Sequence, residues 1–484
     1  MDRCDRGGVA ERYQAQVDGS PAGSLMTERA RDLMLVVVVV ALTVAGAALG
    51  AGSDDVEVAT ERSTPAAFVE RAIYCPPSLA AGDSNARFSV AGRSEGATVG
   101  LEPSDQEELN LAPGQILVGS PSEGSAVDVV GFGAPVEATA LTRAPVGAGA
   151  TGCSALAGTR WYFAAGSSAL GYDERIMVYN PFPEESVVRL SFYTPTGEKV
   201  KANLTDIPVR AGTTREINVN EFITLQDELG ASVSAIRGRV VAWRMLVADP
   251  KVGTAGVEFS LGTTQTSPTW FFPAGGAGTG VTEAISLLNP STTEEAAITI
   301  SLTTNDGSLQ PQKLVEISVP PGSSKRVPLY ETPPARLGSV TDVSALVTSS
   351  NGIEVVAERT TAYRGEGGGL TSEIGAVSTA REWFLGPAAL DPTRDRVSVM
   401  NPASEDAILD VTLMFEDSQP KAPAALQELA LGAGLRREIN LDRWTTGRAA
   451  WAVITADAPI VAERSAFDRG ANDPADVMGT PVRR

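Results

Sequence analysis

Apolar side chains fall on alternate positions in three separate stretches of the chain: Val188/Leu190/Phe192, Ile298/Ile300/Leu302 and Leu409/Val411/Leu413. A period of two marks a strand with one face in a core. The residues between them, such as Arg189, Thr299 and Asp410, predict a second face open to water. Each stretch follows an Asn-Pro pair, at Asn180-Pro181, Asn289-Pro290 and Asn401-Pro402. Proline lacks the ladder donor and turns the preceding residue away from helix, so the pair ends the strand before it. Ala211-Gly212, Pro321-Gly322 and Ala433-Gly434 predict the turns that follow. Asn351-Gly352 predicts a two-residue hairpin between Ala345-Leu346-Val347 and Val355-Val356-Ala357.

These landmarks belong to a longer repeat. Trp161, Trp270 and Trp383 open its copies, and Val-Val-Ala-Trp243-Arg244, Val-Val-Ala-Glu358-Arg359 and Ile-Val-Ala-Glu463-Arg464 stand near their ends. A shared order at a period of about 110 residues is the mark of tandem duplication. Six or seven short strands in that length predict an immunoglobulin-like β-sandwich, and one propeller blade per copy fits poorly. The copies are read as residues 156–265, 266–380 and 381–484, with a degenerate first copy at 73–155. In that first copy Tyr74-Cys75-Pro76 stands for the tryptophan motif and Asn-Pro is missing. The expected fold is all-β: tandem immunoglobulin-like sandwiches behind an N-terminal transmembrane helix.

That helix is the run from Leu33 to Gly52, about 20 residues without a charge and long enough to cross a bilayer. Arginines precede it and Asp54, Asp55 and Glu57 follow it, so residues 1–32 are expected in the cytoplasm and the repeats outside. Residues 53–72 read as a tether. Small residues at Ala45–Ala51 leave signal-peptide cleavage open, as does a start at Met26.

Composition narrows the chemistry. The formal charge of −20 argues against nucleic acid as a partner. The chain has no histidine, which removes Ser-His-Asp and Cys-His catalysis and imidazole-bound metals. No cofactor or metal site is expected. The glycine runs at 275–280 and 365–369 lack the Lys-Ser/Thr of a phosphate loop. Asp391, Asp395, Asp468, Asn472, Asp473 and Asp476 are acidic loop residues without a calcium-loop ladder. Glu358-Arg359 and Glu463-Arg464 read as strands leaving the core with charges paired across to a neighbouring strand. The tryptophans read as packing anchors at domain joints rather than sugar platforms.

Of three cysteines, Cys4 lies on the reducing side of the membrane segment, and Cys75 and Cys153 lie outside it. Cys153 precedes Trp161 by the same offset that separates Gly262 from Trp270 and Gly375 from Trp383. The two are expected to form a disulfide closing the first domain.

The ordered Trp, Asn-Pro, alternating strand and Glu-Arg pattern resembles an actinobacterial group of membrane-anchored extracellular proteins, domain-of-unknown-function family 5719. Trp161, Asn180-Pro181, Asn289-Pro290, Glu358-Arg359, Asn401-Pro402 and Glu463-Arg464 carry the resemblance. It implies a β-rich envelope protein and assigns no catalytic residue. The expected role is therefore a binding or scaffolding module of the cell envelope, held to the membrane through residues 33–52, with an envelope protein or glycan as partner. An envelope hydrolase using paired carboxylates, or the ectodomain of a signalling complex, are the alternatives.

Overall fold

The computed structural model describes residues 68–77, 87–92, 97–102, 109–111, 114–120, 126–133, 136–144, 146–252, 254–276, 280–329, 342–364, 368–416, 418–469 and 473–482. The expected cytoplasmic segment 1–32, membrane segment 33–52 and most of the tether lie outside these residues. Among the described residues no helix is long and apolar enough to cross a membrane. The last part of the expected tether is structured, because the first strand already begins at Phe68 and runs to Cys75.

The alternating stretches build what their pattern predicts on one face. Val188, Leu190, Phe192, Ile298, Ile300, Leu302, Leu409, Val411 and Leu413 are all fully buried, and each such side chain contributes roughly 1.5 to 3 kcal/mol of burial. In residues 156–265 two antiparallel sheets enclose them. One holds Arg160–Phe163, Gly230–Arg237, Ser186–Thr194 and Gly197–Val200 in that order, with Ile207–Val209 beside Ser186–Thr194. The other runs Thr213–Asn218, Tyr172–Asn180, Val241–Ala248, Gly256–Leu261. Residues 266–380 repeat this order strand for strand. The first strand pairs in the sheet of the third rather than beside the second, which differs from the ABED sheet of immunoglobulin domains.

The third copy has one departure. A single strand, Trp451–Asp468, crosses from one sheet to the other, pairing with Ala380–Leu385 and Ala407–Phe415 early and with Pro392–Met400 and Asp473–Met478 late. In the second copy the corresponding path is cut at Asn351-Gly352. The expected hairpin there is corrected: Gly352 does take φ 76° and its N–H bonds to Ser349 O, but Ser344–Ser349 and Val356–Tyr363 lie in different sheets. The expected two-residue turn is absent too: the Ser349 O to Gly352 N–H bond brackets Ser350 and Asn351, and Asn351 does not take the positive φ that an Asn-Gly hairpin needs.

The residues between the apolar positions are not all open to water. Arg189 is exposed, yet Ser191 and Tyr193 are buried. The outer face of each copy is covered by the next one. Tyr162, Ala164 and Tyr193 join the core cluster of the second copy, and Phe271 and Ala376 join that of the third. Trp451 and Met414 of the third copy pack with Ala91 and Ile116 of the degenerate one. The Trp451 indole N–H donates to the Ser89 hydroxyl at 2.9 Å. Tyr74 of the degenerate copy meets Tyr179 of the next edge-on, with ring centroids 6.3 Å apart.

The last strands of the copies complete the circuit. Gly147–Gly152 packs on Gly256–Leu261, which packs on Gly369–Ile374, which packs on Asp473–Met478, which returns to Gly147–Gly152. Within the compact unit of residues 66–484 the copies therefore close into a ring around four axial strands.

Candidate functional site

The landmark residues of the repeat turn out to be interior. Trp161, Trp270 and Trp383 are buried in the cores of their own copies, not at the joints. Their indole N–H groups donate to Val240 O, Val355 O and Ile460 O. Each therefore ties its opening strand to the start of the Val-Val-Ala strand.

Asn180, Asn289 and Asn401 are fully buried as well. The Asn180 amide donates to Glu184 O at 2.7 Å and Val209 O at 3.0 Å, while its oxygen accepts from Phe182 N. Asn289 does the same with Glu294 O, Val319 O and Ser291 N. Asn401 bonds Glu405 O and Ala403 N in the same manner. Asparagine is thus required as a staple of the turn, beyond the strand-ending role of Pro181, Pro290 and Pro402.

The register identifies what the disulfide replaces. Tyr74 bridges Ser154 as Tyr162 bridges Thr263 and Phe271 bridges Ala376. This aligns Cys75 with Phe163 and Phe272, and Cys153 with Gly262 and Gly375. In those copies the phenyl ring lies on the glycine: a Cβ at Gly262 would sit 2.8 Å from Phe163 Cζ, and one at Gly375 2.6 Å from Phe272 Cζ. Cys75 and Cys153 are bonded in the same place, with Cα atoms 4.5 Å apart. Ile73, not Tyr74, stands at the tryptophan position, because it is the inward residue of its strand.

The Glu-Arg pairs also require correction. They do not leave the core; Glu358, Arg359, Glu463 and Arg464 are buried, as is Arg244. Of these four Glu-Arg residues, Arg464 alone pairs across one sheet, with Asp395 on the neighbouring strand. Arg244 reaches into the next copy, where Nη2 lies 2.7 Å from Glu358 Oε1. Glu358 Oε2 accepts from the backbone N–H groups of Ala164 and Ala165, both at 2.8 Å. Arg359 repeats the contact one joint later, with Nη1 3.0 Å from Glu463 Oε2, which also accepts from Ala274 N. The arginine of one copy thus meets the glutamate of the next.

The remaining joints show why the pattern breaks. Pairing aligns Thr139, Trp243, Glu358 and Glu463 as one position, and Ala140, Arg244, Arg359 and Arg464 as the next. The degenerate copy has no arginine to give, and the following copy has Trp243 instead of glutamate. The third copy's Arg464 faces a copy with Thr139, and it turns to Asp395 of its own copy at 2.8 Å. It also donates to Gly386 O, and Gly386 leaves room for Thr139. At this joint Arg143 also pairs with Asp468.

More carboxyls crowd these arginines. Arg244 also bonds Glu258, and Arg359 bonds Asp476 at 2.7 Å. Glu174 is pushed up to about 8 by burial, with Arg244 opposing and Glu258 reinforcing the rise. Burial raises Glu283 to about 7 against the pull of Arg359. Glu258, Glu463 and Glu373 are likewise raised, first by burial. Both guanidinium groups rise despite burial, because the surrounding carboxylates outweigh it. The acidic residues read as loops divide differently: Asp395 and Asp476 lie on strands and pair with arginines, and Asp391 pairs with Arg469. Among the described residues no group of three or more His, Cys, Asp or Glu side chains is placed to hold a metal ion.

Perturbed carboxyls can mark catalysis, yet ion-pair networks perturb them equally. Of these raised carboxyls Glu258 lines an axial cavity of ≈ 10 Å³, room for about one water and none for a sugar ring. Open space lies at the outer edge of residues 156–265. A groove of ≈ 510 Å³ there is lined by Arg175, Asn203, Arg215, Glu216, Asn218 and Phe222, among others. Arg175 is held by Asp173 and Glu216. Sequence reasoning missed this groove, because it forms between strands that only the sandwich brings together.

The fold and its joints define a class: β-sandwich repeats closed in a ring, with arginine–carboxylate contacts buried between copies. The chain belongs to the family of unknown function DUF5719, whose model matches residues 110–270 and again 261–482. No curated protein matches. Among solved structures, a crystal structure of Thermotoga maritima 1070 is similar at 21% identity over 21% of this chain and 95% of that one, with a TM-score of 0.19. An Anabaena sensory rhodopsin transducer is similar at 21% identity over 18% of this chain and 91% of that one, with a TM-score of 0.16.

Proposed function

We propose that this chain is a binding or scaffolding module of the cell envelope, held to the membrane by residues 33–52 with its ring of repeats outside and performing no catalysis. The observation that carries the reading is the groove beside Arg175, Arg215 and Asn218, which joins charged and amide groups to the ring of Phe222. Such a lining suits a hydroxyl-rich, polar ligand: guanidinium and amide groups bond its oxygens while the phenyl ring covers a carbon face. An envelope glycan is the ligand class we assign. The burial of the repeat's charged landmarks supports the reading too, because it leaves them to hold the ring together.

The test is binding of the fragment from residue 53 to cell-wall polysaccharide and to a glycan array. Retention is expected, and Arg215→Ala with Asn218→Ala should weaken it at least tenfold; Asn218 also caps the turn at Val219–Glu221 by accepting from Asn220 N–H, so binding is compared well below the melting temperature of the double variant. Equal retention of wild type and double variant would remove the groove from the proposal, and absence of retention on every glycan would remove the ligand class.

A further inference from the structure

The first full copy differs from the two that follow it at one end. That end holds the start of Arg160–Phe163 and the finish of Gly230–Arg237, joined where Ala235 N–H donates to Thr159 O at 2.8 Å. Leu156 and Ile236 stand there 48% and 53% exposed. Register puts Gln265 and Ser350 at these positions in the second copy, and Ser378 and Asp457 in the third.

Charge changes at the same place. Arg239 lies over the Phe182 ring at 4.8 Å and has no carboxylate partner among the described residues. Glu354 and Pro459 stand there in the other copies, each just before the residue that accepts from the tryptophan, as Arg239 stands before Val240. Arg210 and Arg237 belong to the same end. Ser186 bonds the Arg239 carbonyl and pairs with Val209, and Val187 pairs with Arg237. Against these three arginines stand Glu184 and Glu185, and Glu185 holds Arg237 in an exposed pair. The corresponding turns carry Glu294 and Glu295, then Glu405 and Asp406, in the copies that follow.

The first strand of the degenerate copy starts on this side. The Tyr74–Ser154 bridge is antiparallel, so Leu156 lies two residues on in the direction of Phe68. Between residue 52 and Phe68 the chain spans at most about 55 Å, which keeps the ring close to the bilayer that holds residues 33–52. Exposed aliphatic side chains are ordinary when scattered. Beside arginines and next to a membrane tether they suit an interfacial contact, with aliphatic tips in the headgroup boundary and guanidinium groups on lipid phosphate. We infer that this end of the first full copy rests on the bilayer surface, with Leu156 and Ile236 in the headgroup layer and Arg210 and Arg239 on anionic lipid phosphate. The inference rests on the membrane segment proposed above and is independent of the groove at Arg175.

The full chain in vesicles of phosphatidylglycerol and phosphatidylcholine, with a nitroxide on the lipid headgroup as quencher, tests this. Cys4→Ser leaves no free thiol, since Cys75 and Cys153 are joined. A fluorophore is then attached through Ile236→Cys or, beyond the far end of Gly230–Arg237, through Leu225→Cys, where the leucine is 72% exposed. Quenching at 236 should exceed that at 225 by roughly threefold, and Arg210→Glu with Arg239→Glu should remove the excess. Equal quenching at both positions would overturn the docking and leave the membrane segment standing, as would an excess that survives the charge reversal. A chain that does not float with the vesicles would remove the membrane segment and the docking together.

Discussion

Cys75 and Cys153 show how one packing problem is solved in two ways. Two clear copies lay Phe163 on Gly262 and Phe272 on Gly375, while the degenerate copy joins the same two positions covalently. Closing a loop with a sequence separation of 78 contributes about 4 to 5 kcal/mol in the chain-entropy model. Losing either cysteine should therefore lower stability by several kcal/mol, measured by denaturant unfolding. Cys75→Phe with Cys153→Gly should recover about 1 to 3 kcal/mol of that loss, the worth of a buried aromatic side chain. A double variant no more stable than Cys75→Ala would show that the first copy cannot accept the phenyl-on-glycine contact. The pairing of these cysteines was legible in the sequence from compartment and spacing. What they stand in for was not, because Tyr74 rather than Ile73 looked like the tryptophan's counterpart.

Strands in this chain are specified locally, and their partners are not. Ser344–Ser349 and Val356–Tyr363 have an Asn-Gly pair between them yet belong to different sheets, and Trp451–Asp468 makes the same passage unbroken. The Val-Val-Ala strands carry the contact between copies, so a change in one should be answered in its neighbour. Where the degenerate copy has Ala140 the next has Trp243, an apolar alternative to a buried ion pair. Trp243→Glu should cost about 3 to 5 kcal/mol, since it buries a carboxylate that no arginine meets. Adding Ala140→Arg should return part of that, a coupling of about 0.5 to 3 kcal/mol in a double-mutant cycle read from denaturant melts. Strictly additive costs would refute the hand-over from copy to copy. In the sequence Trp243 looked like a blemish in a Glu-Arg motif; it makes sense only beside the copy before it.

At the scale of the whole ring, protons bind the folded state more tightly than the unfolded one. Glu174 at about 8 and Glu283 at about 7 lie above the ordinary glutamate value of 4.5. The stability they contribute is full below that ordinary value and is lost as pH rises through 7 and 8. The melting temperature should accordingly fall between about pH 5 and pH 8, opposite to acid denaturation. Glu174→Gln with Glu283→Gln should flatten that fall, and an unchanged slope in this variant would assign it to other groups. Sequence by itself determined the strands, their inward faces, the repeat and the disulfide, because alternation, turn residues and spacing are local or periodic properties. Only tertiary structure decided that the copies close into a ring, that outward faces such as Tyr162 and Tyr193 become interior, and that Arg244 and Arg359 serve the following copy. Those contacts join residues more than a hundred positions apart, and one copy's pattern looks the same whether its outer face meets water or another copy.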